Sequence, residues 1–283
     1  MTSIPLSGGP WGVGMSSRGS VFVTQAAATF VTRVAVDSDT VAQSYAVGSG
    51  PYDASFNAAE TKLYVTTLYD GMVRALNPAT GTVIDTISAP PEPVRVLLGP
   101  GETKLYVTQA DGRLQVFNPT THALDTTLTL GGVPLNDIVL SRSGTRLYVS
   151  SVGGTVTEVN TSTDAVTRSY TPGGKPQDLI VSPGDSILYV ANEGGWVEVW
   201  NIMAWTRQDS IPVPGAFGLT LTPDGSQLWV TATTTGQVTV IDCATRTVKK
   251  VVPVLGAPRH IVITPDGSTA VVANEAGYVQ IIR

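Results

Sequence analysis

The chain has 283 residues, 17 basic and 22 acidic, for a formal net charge of −5, with a single cysteine and two histidines. Its basic residues are spread thinly, with no Lys/Arg run, which argues against nucleic acid as a partner because phosphate binding needs a concentrated positive field. The lone Cys243 excludes an intramolecular disulfide and a multi-cysteine zinc site, and two histidines cannot build a three-histidine zinc centre.

In chain order, Met1-Thr2-Ser3-Ile4 opens directly into repeat sequence, with no basic n-region and no separate apolar h-region. A cytoplasmic location is expected of the sequence as written, and a secreted or periplasmic one if a leader has been removed. No apolar run approaches a membrane span, so a soluble, monomeric chain is expected.

One unit then recurs seven times. Aligned on the second strand of each copy, its markers are Phe22, Tyr64, Tyr106, Tyr148, Tyr189, Trp229 and Val271, separated by 42, 42, 42, 41, 40 and 42 residues. A period of about 40 to 45 residues with several short strands per unit is that of a propeller blade. Between the first and second strands lie turns such as SPGD at 182–185 and TPDG at 222–225 and 264–267, in which Pro presets φ and Gly supplies a positive one. A third strand follows, as in GGWVEVWN (194–201), then an Asx-centred turn at Asp37, Asn77, Asn118, Asn160, Asn201 and Asp242. A less regular fourth strand closes the unit, as in TVKKVVPVLG (247–256). The apolar runs are nearly continuous, as expected of sheets covered on both faces. The recurring aromatics are expected to pack between sheets.

The last repeat stops at Arg283, before a fourth strand. Ile4 to Pro10 aligns without gaps on Val252 to Pro258, the tail of such a strand. The expected fold is therefore an all-β, seven-bladed propeller of four-stranded antiparallel blades. It is one domain over 1–283, with residues 1–8 completing the last blade and removing two exposed sheet edges.

The second-strand endings LYVTT (63–67), LYVTQ (105–109), LYVSS (147–151) and LYVAN (188–192), with NPATGTVIDTI (77–87) after the first of them, resemble the YVTN family of seven-bladed propellers over the whole chain. That resemblance implies relatives among surface-layer and periplasmic proteins, lactonases and lyases. WD40 and kelch signatures and the tryptophan-docking motif of quinoprotein blades are absent, so no quinone cofactor is expected.

Ligand sites in propellers collect where the innermost strands enter the central channel. Each innermost strand is announced by a proline. Counting back eleven residues from the second-strand marker gives Trp11, Asp53, Arg95, Asp137, Asp178, Gly218 and His260 as its first residue, with Gly12 the alternative in blade 1, whose turn is one residue short. In YVTN-type repeats this position resembles a small residue, commonly Gly, so five charged or titratable residues here are a departure. Charges held close at a narrow rim should have coupled, shifted pKa values.

One reading makes His260 a general acid or base, with Asp178 and Asp137 as a second base or as ligands for Ca²⁺ or Mg²⁺. Arg95 would then clamp an anion and Asp53 orient it, in a lyase, hydrolase or isomerase acting on a small polar molecule. The other reading makes the ring a structural plug, Arg95 neutralising Asp53 and Asp137, in a propeller that binds a protein or ligand without catalysis.

Loops on the same face add Tyr69, Asp70, Gln109, Asp111, Asn192, Glu193, Trp196, Asn274, Glu275 and Tyr278. Glu275 is placed to orient His260, and Glu193 stands in the same relation to Asp178. Tyr69, Trp196 and Tyr278 are candidates to wall a pocket. No nucleophile elbow, HExxH or phosphate-binding glycine loop is present.

Overall fold

A computed structural model describes residues 1–283. It holds seven four-stranded antiparallel sheets arranged as blades around a channel. In six blades the strands lie in sequence order from axis to rim, and in the seventh the N-terminal strand takes the rim position. Blade 2, for example, runs Pro51–Phe56, Leu63–Thr67, Met72–Leu76 and Val83–Ser88. The second strands are buried from end to end, as in Leu63–Thr67 and Leu105–Gln109, while the outermost strands are mostly exposed. This gradient explains the continuous apolar runs: the inner sheets are sandwiched between neighbours and the rim is not.

The last blade pairs Thr2–Pro5 with the third strand Tyr278–Ile282, in the register Thr2 to Ile281 and Ile4 to Val279. Ile4 and Leu6 are buried with Val21, Val23 and Val34 of blade 1 and Val271 and Ala273 of blade 7. The N-terminal strand thus packs across the seam between the first and last blades. Arg283 adds a second tie, donating to Asp39 Oδ2 at 3.0 Å and to the carbonyl of Val36 in blade 1.

The turns follow the sequence chemistry. Gly225 and Gly267 take φ of 69° and 74°. Asn77, Asn118, Asn160, Asn201 and Asp242 each accept backbone amides two or three residues on. The recurring aromatics are packed between blades, as with Tyr106 beside Leu135, Leu147 and Val159 of the next blade. In blades 4 and 6 the innermost strand starts at Leu135 and Ala216, just after Pro134 and Pro214. No helix is long and apolar enough to cross a membrane.

Candidate functional site

The site grows out of a bulge repeated at the start of the innermost strands. In blade 2, Pro51 pairs with Thr67, but the next pair is Ala54 with Val65, so Tyr52 and Asp53 together face Thr66. Two residues against one bend the strand and leave an amide out of the ladder. The Thr66 hydroxyl takes that amide, accepting from Asp53 N at 3.0 Å, and donates to the Val94 carbonyl of the next blade at 3.0 Å. Thr24, Thr108, Ser150 and Thr231 accept the matching amides of Gly12, Arg95, Asp137 and Gly218. The fourth letter of LYVT is therefore a bridge between blades. Its signal in the sequence is a small hydroxyl at one repeated place, Thr24, Thr66, Thr108, Ser150 and Thr231.

Five ring residues meet as the repeat spacing required. Asp53, Arg95, Asp137, Asp178 and His260 are all buried, none more than 9% exposed. Arg95 Nη1 donates to Asp53 Oδ1 at 2.9 Å, and Arg95 Nε lies 3.2 Å from Asp137 Oδ1. Arg95 Nη2 lies 2.8 Å from His260 Nε2 and 3.0 Å from Nδ1. His260 Nδ1 is 3.4 Å from Asp178 Oδ2.

The carboxylates also hold backbone. Asp53 Oδ2, Asp137 Oδ2 and Asp178 Oδ2 accept the amides of Val96, Leu179 and Leu219, each on the innermost strand of the following blade. Gly12 and Gly218 complete the ring. A β-carbon at either would lie 2.5 Å from the Tyr52 carbonyl or 2.4 Å from that of Arg259. Gly12 thus occupies the blade 1 position, and Trp11 lies in the layer above.

Charge follows from this packing. Burial alone would lower the pKa of Arg95, but Asp53, Asp137 and Asp178 outweigh it and hold the guanidinium charged. Burial, and then the neighbouring Arg95, push His260 well below the usual imidazole range, so it is neutral and can accept from the guanidinium. Burial, and then the charge of Asp178, raise Asp137 well above the usual carboxylate range.

Above the ring lie Trp11, Tyr52, Phe217 and Arg259. Trp11 packs on Tyr52 at 4.8 Å and edge-on to Phe217 at 5.8 Å. The Arg259 guanidinium sits 4.3 Å from the Trp11 ring centre and 4.7 Å from that of Phe217. Under this roof remains a cavity of about 20 Å³, lined by Tyr52, Arg95, Phe217 and His260 among others, with room for about one water.

The loop candidates are placed differently from expectation. Glu275 pairs with Arg259, donor Nε to Oε2 at 2.8 Å, and not with His260. Glu193 accepts Gln177 Nε2 at 2.8 Å and not a group of Asp178. The physical reason is the bulge, which turns the ring residue down the channel and leaves the preceding residue to face the loop.

Asn192 and Asn274 are fully buried, and their amides lock turns. Asn192 accepts Lys175 N and Gly194 N and donates to the Gly173 carbonyl, and Asn274 does the same with Ala257, Ala276 and Leu255. They have no face left for a substrate. Gln109 plays the same part in blade 3, accepting Glu92 N and donating to the Ala89 carbonyl.

Trp196 donates to Glu198 at 3.0 Å, Tyr278 lies opposite Pro5 in the closing sheet, and Tyr69 is 66% exposed beside Ser7, Gly8 and Phe30. They stand on three blades, and no sizeable cavity is lined by more than one of them. Asp70 pairs with Arg74 and Asp111 with Arg113. No three His, Cys, Asp or Glu side chains converge as a metal site. Arg95 and backbone amides of the following blades are the partners of the ring carboxylates.

No protein-family model matches the chain, and no curated protein matches it. The likeness to the YVTN family therefore rests on the repeat endings alone. Among solved structures, the chain is similar to Kuenenia stuttgartiensis hydrazine synthase, with a TM-score of 0.86 at 17% identity over 98% of this chain and 96% of that one. It is also similar to a chain of a mitotic checkpoint complex, with a TM-score of 0.88 at 14% identity over 100% and 90%. Both similarities show the seven-bladed propeller fold and nothing finer.

Proposed function

We propose that this protein is a non-catalytic binding propeller whose axial ring of Asp53, Arg95, Asp137, Asp178 and His260 locks the blades together. One observation carries this reading. The ring's polar groups are bonded to one another and to backbone of the following blades, and the space left among them is about 20 Å³. A substrate pocket is typically some hundreds of cubic ångströms. Binding then falls to the loops and grooves of the two faces, where a protein or a small polar molecule can be held without disturbing the axis.

The test is a thermal-shift screen of the wild type against small acids, sugars, lactones, Ca²⁺ and Mg²⁺, beside His260→Ala and Asp178→Ala. A structural ring predicts that both variants melt lower and that any ligand shift survives in them. A ligand shift lost in both variants would place a ligand in the channel and overturn the reading.

A second reading is favoured by one feature. The imidazole of His260 lies 3.4 Å from Asp178, beside a small cavity lined by Trp11, Tyr52 and Phe217. If Arg259 and Trp11 swing aside, His260 can take a proton from a small polar substrate, with Asp178 to orient the imidazole, as a lyase, hydrolase or isomerase requires. Its sign would be turnover that vanishes in His260→Ala while the variant keeps its fold.

A further inference from the structure

Between the last paired residues of the first two strands, Met15 and Val21, the hairpin turn of blade 1 has five residues, Ser16 to Ser20, where every other blade has six. In blades 2, 3 and 5 the turn carries a carboxylate that reaches back to the preceding blade. Glu60 accepts Ser17 N, Glu102 accepts Ala58 N, and Asp185 accepts Arg142 N and Ser143 N. Blade 1 has Arg18 in its turn and makes no such bridge to blade 7. The seam towards blade 7 is correspondingly open, with a cavity of about 430 Å³, and a second cavity of about 380 Å³ lies towards blade 2 beside the Glu60 bridge. Arg18, Ser20 and Arg33 line both.

Arg33 is out of place by the logic of the repeat. It pairs with Phe22 on the third strand, where the corresponding partners of Tyr64, Tyr106, Tyr189, Trp229 and Val271 are Ala75, Val116, Val199, Val240 and Ile281. The other charged residue at this position, Glu158, has its counter-ion in Arg168 at 3.0 Å. Arg33 and Arg18 have neither an ion pair nor a hydrogen bond, while Arg74, Arg168 and Arg283 each sit on a carboxylate. A half-buried guanidinium without a partner, at a place where five blades put a core residue, costs stability and calls for an anion.

We infer that Arg18 and Arg33 form a binding site for a small organic acid, a carboxylate or phosphate monoester carrying an apolar body. The two guanidinium groups hold the anionic head, and bidentate pairing suits both head groups. The 380 Å³ cavity takes the body against Phe56, Ala59, Pro78 and Ala79. Its size falls within the usual range for small-molecule pockets. The blade 2 cavity has one carboxylate on its wall, Glu60, which accepts Ser17 N, whereas Asp37 and Asp266 both border the other cavity, so the blade 2 side carries the fewer acidic groups and is the better seat for the head. The site lies away from the axial ring and stands or falls independently of the reading given to that ring.

The test uses the whole chain with phenyl phosphate, benzoate and inorganic phosphate as probes, read by calorimetry and thermal shift. Wild type is expected to bind an aryl acid at least tenfold more tightly than inorganic phosphate, and Arg33→Met to lose that binding at least tenfold. The unliganded Arg33→Met protein is expected to melt higher than wild type, which separates loss of the site from loss of the fold. Equal binding of the aryl acids by wild type and Arg33→Met, or no binding by wild type at millimolar concentrations, overturns the inference. So does tight binding of inorganic phosphate alone, which would show a bare anion seat with no use for the apolar wall.

Discussion

Arg95 and Asp53 lie 42 residues apart and meet at 2.9 Å across the boundary between blades 2 and 3. Asp53 uses its second oxygen on the amide of Val96, so one carboxylate fixes both the side chain and the backbone of its neighbour. Arg95 carries the connection on to Asp137 in blade 4 and across the axis to His260 in blade 7. Replacing Arg95 with Met leaves buried carboxylates without their cation. Breaking a buried pair in this way costs about 3–5 kcal/mol, and the expected result in urea unfolding is a loss of that size with little change in slope.

Asp137 is the ring member for which an uncharged isostere should help. Its folded pKa lies above the unfolded one, so its proton stabilises the fold below about pH 4, and that contribution is lost as pH rises through the folded value. Asp137→Asn keeps a neutral hydrogen-bonding group at every pH. Its stability relative to wild type is expected to climb with pH, by at most about 1.4 kcal/mol per unit. Chemical denaturation between pH 4 and 9 checks this, and a flat difference would show that Asp137 is ionised throughout.

His260 has the opposite sign. Its folded pKa is well below the unfolded value of about 6.5, so as pH falls through that value the unfolded chain takes up a proton the folded one refuses. Stability is therefore lost on the acid side of about pH 6.5. His260→Gln removes this group, and its stability is expected to decline less steeply than that of wild type between pH 6.5 and 5.

The seam offers a test of ring closure. Deleting residues 1–8 exposes the edge of Tyr278–Ile282 and removes Ile4 and Leu6 from the core, each contributing about 1.5–3 kcal/mol when fully buried. The truncated chain is expected to melt many degrees lower, and an unchanged melting temperature would show that the strand contributes nothing to closure.

The fold was legible because its signals repeat. Seven markers at near-constant spacing, Pro/Gly turns and Asx turns act locally, and the match of Ile4 to Pro10 with Val252 to Pro258 revealed the closing strand. The membership of the charge ring was legible for the same reason, since equal spacing puts equivalent residues on one circle. What could not be read was direction. The bulge that pairs Pro51 with Thr67 and then Ala54 with Val65 turns each ring residue away from its own loop, so Glu275 meets Arg259 rather than His260. Asn192 and Asn274 look like binding residues in sequence, because nothing local reveals that a turn from the preceding strand folds over their amides. The unpaired state of Arg33 is likewise a fact about neighbours from two other blades.

Whether the axial ring closes the channel is read from the pH titration of the His260 ring by NMR. The only other histidine is His122, so a His122→Gln background leaves one imidazole signal. A sealed ring predicts no titration of His260 between pH 5 and 8 and a shift pattern of neutral imidazole throughout. A midpoint near 6.5 would show an open, solvated histidine and a channel that the ring does not close.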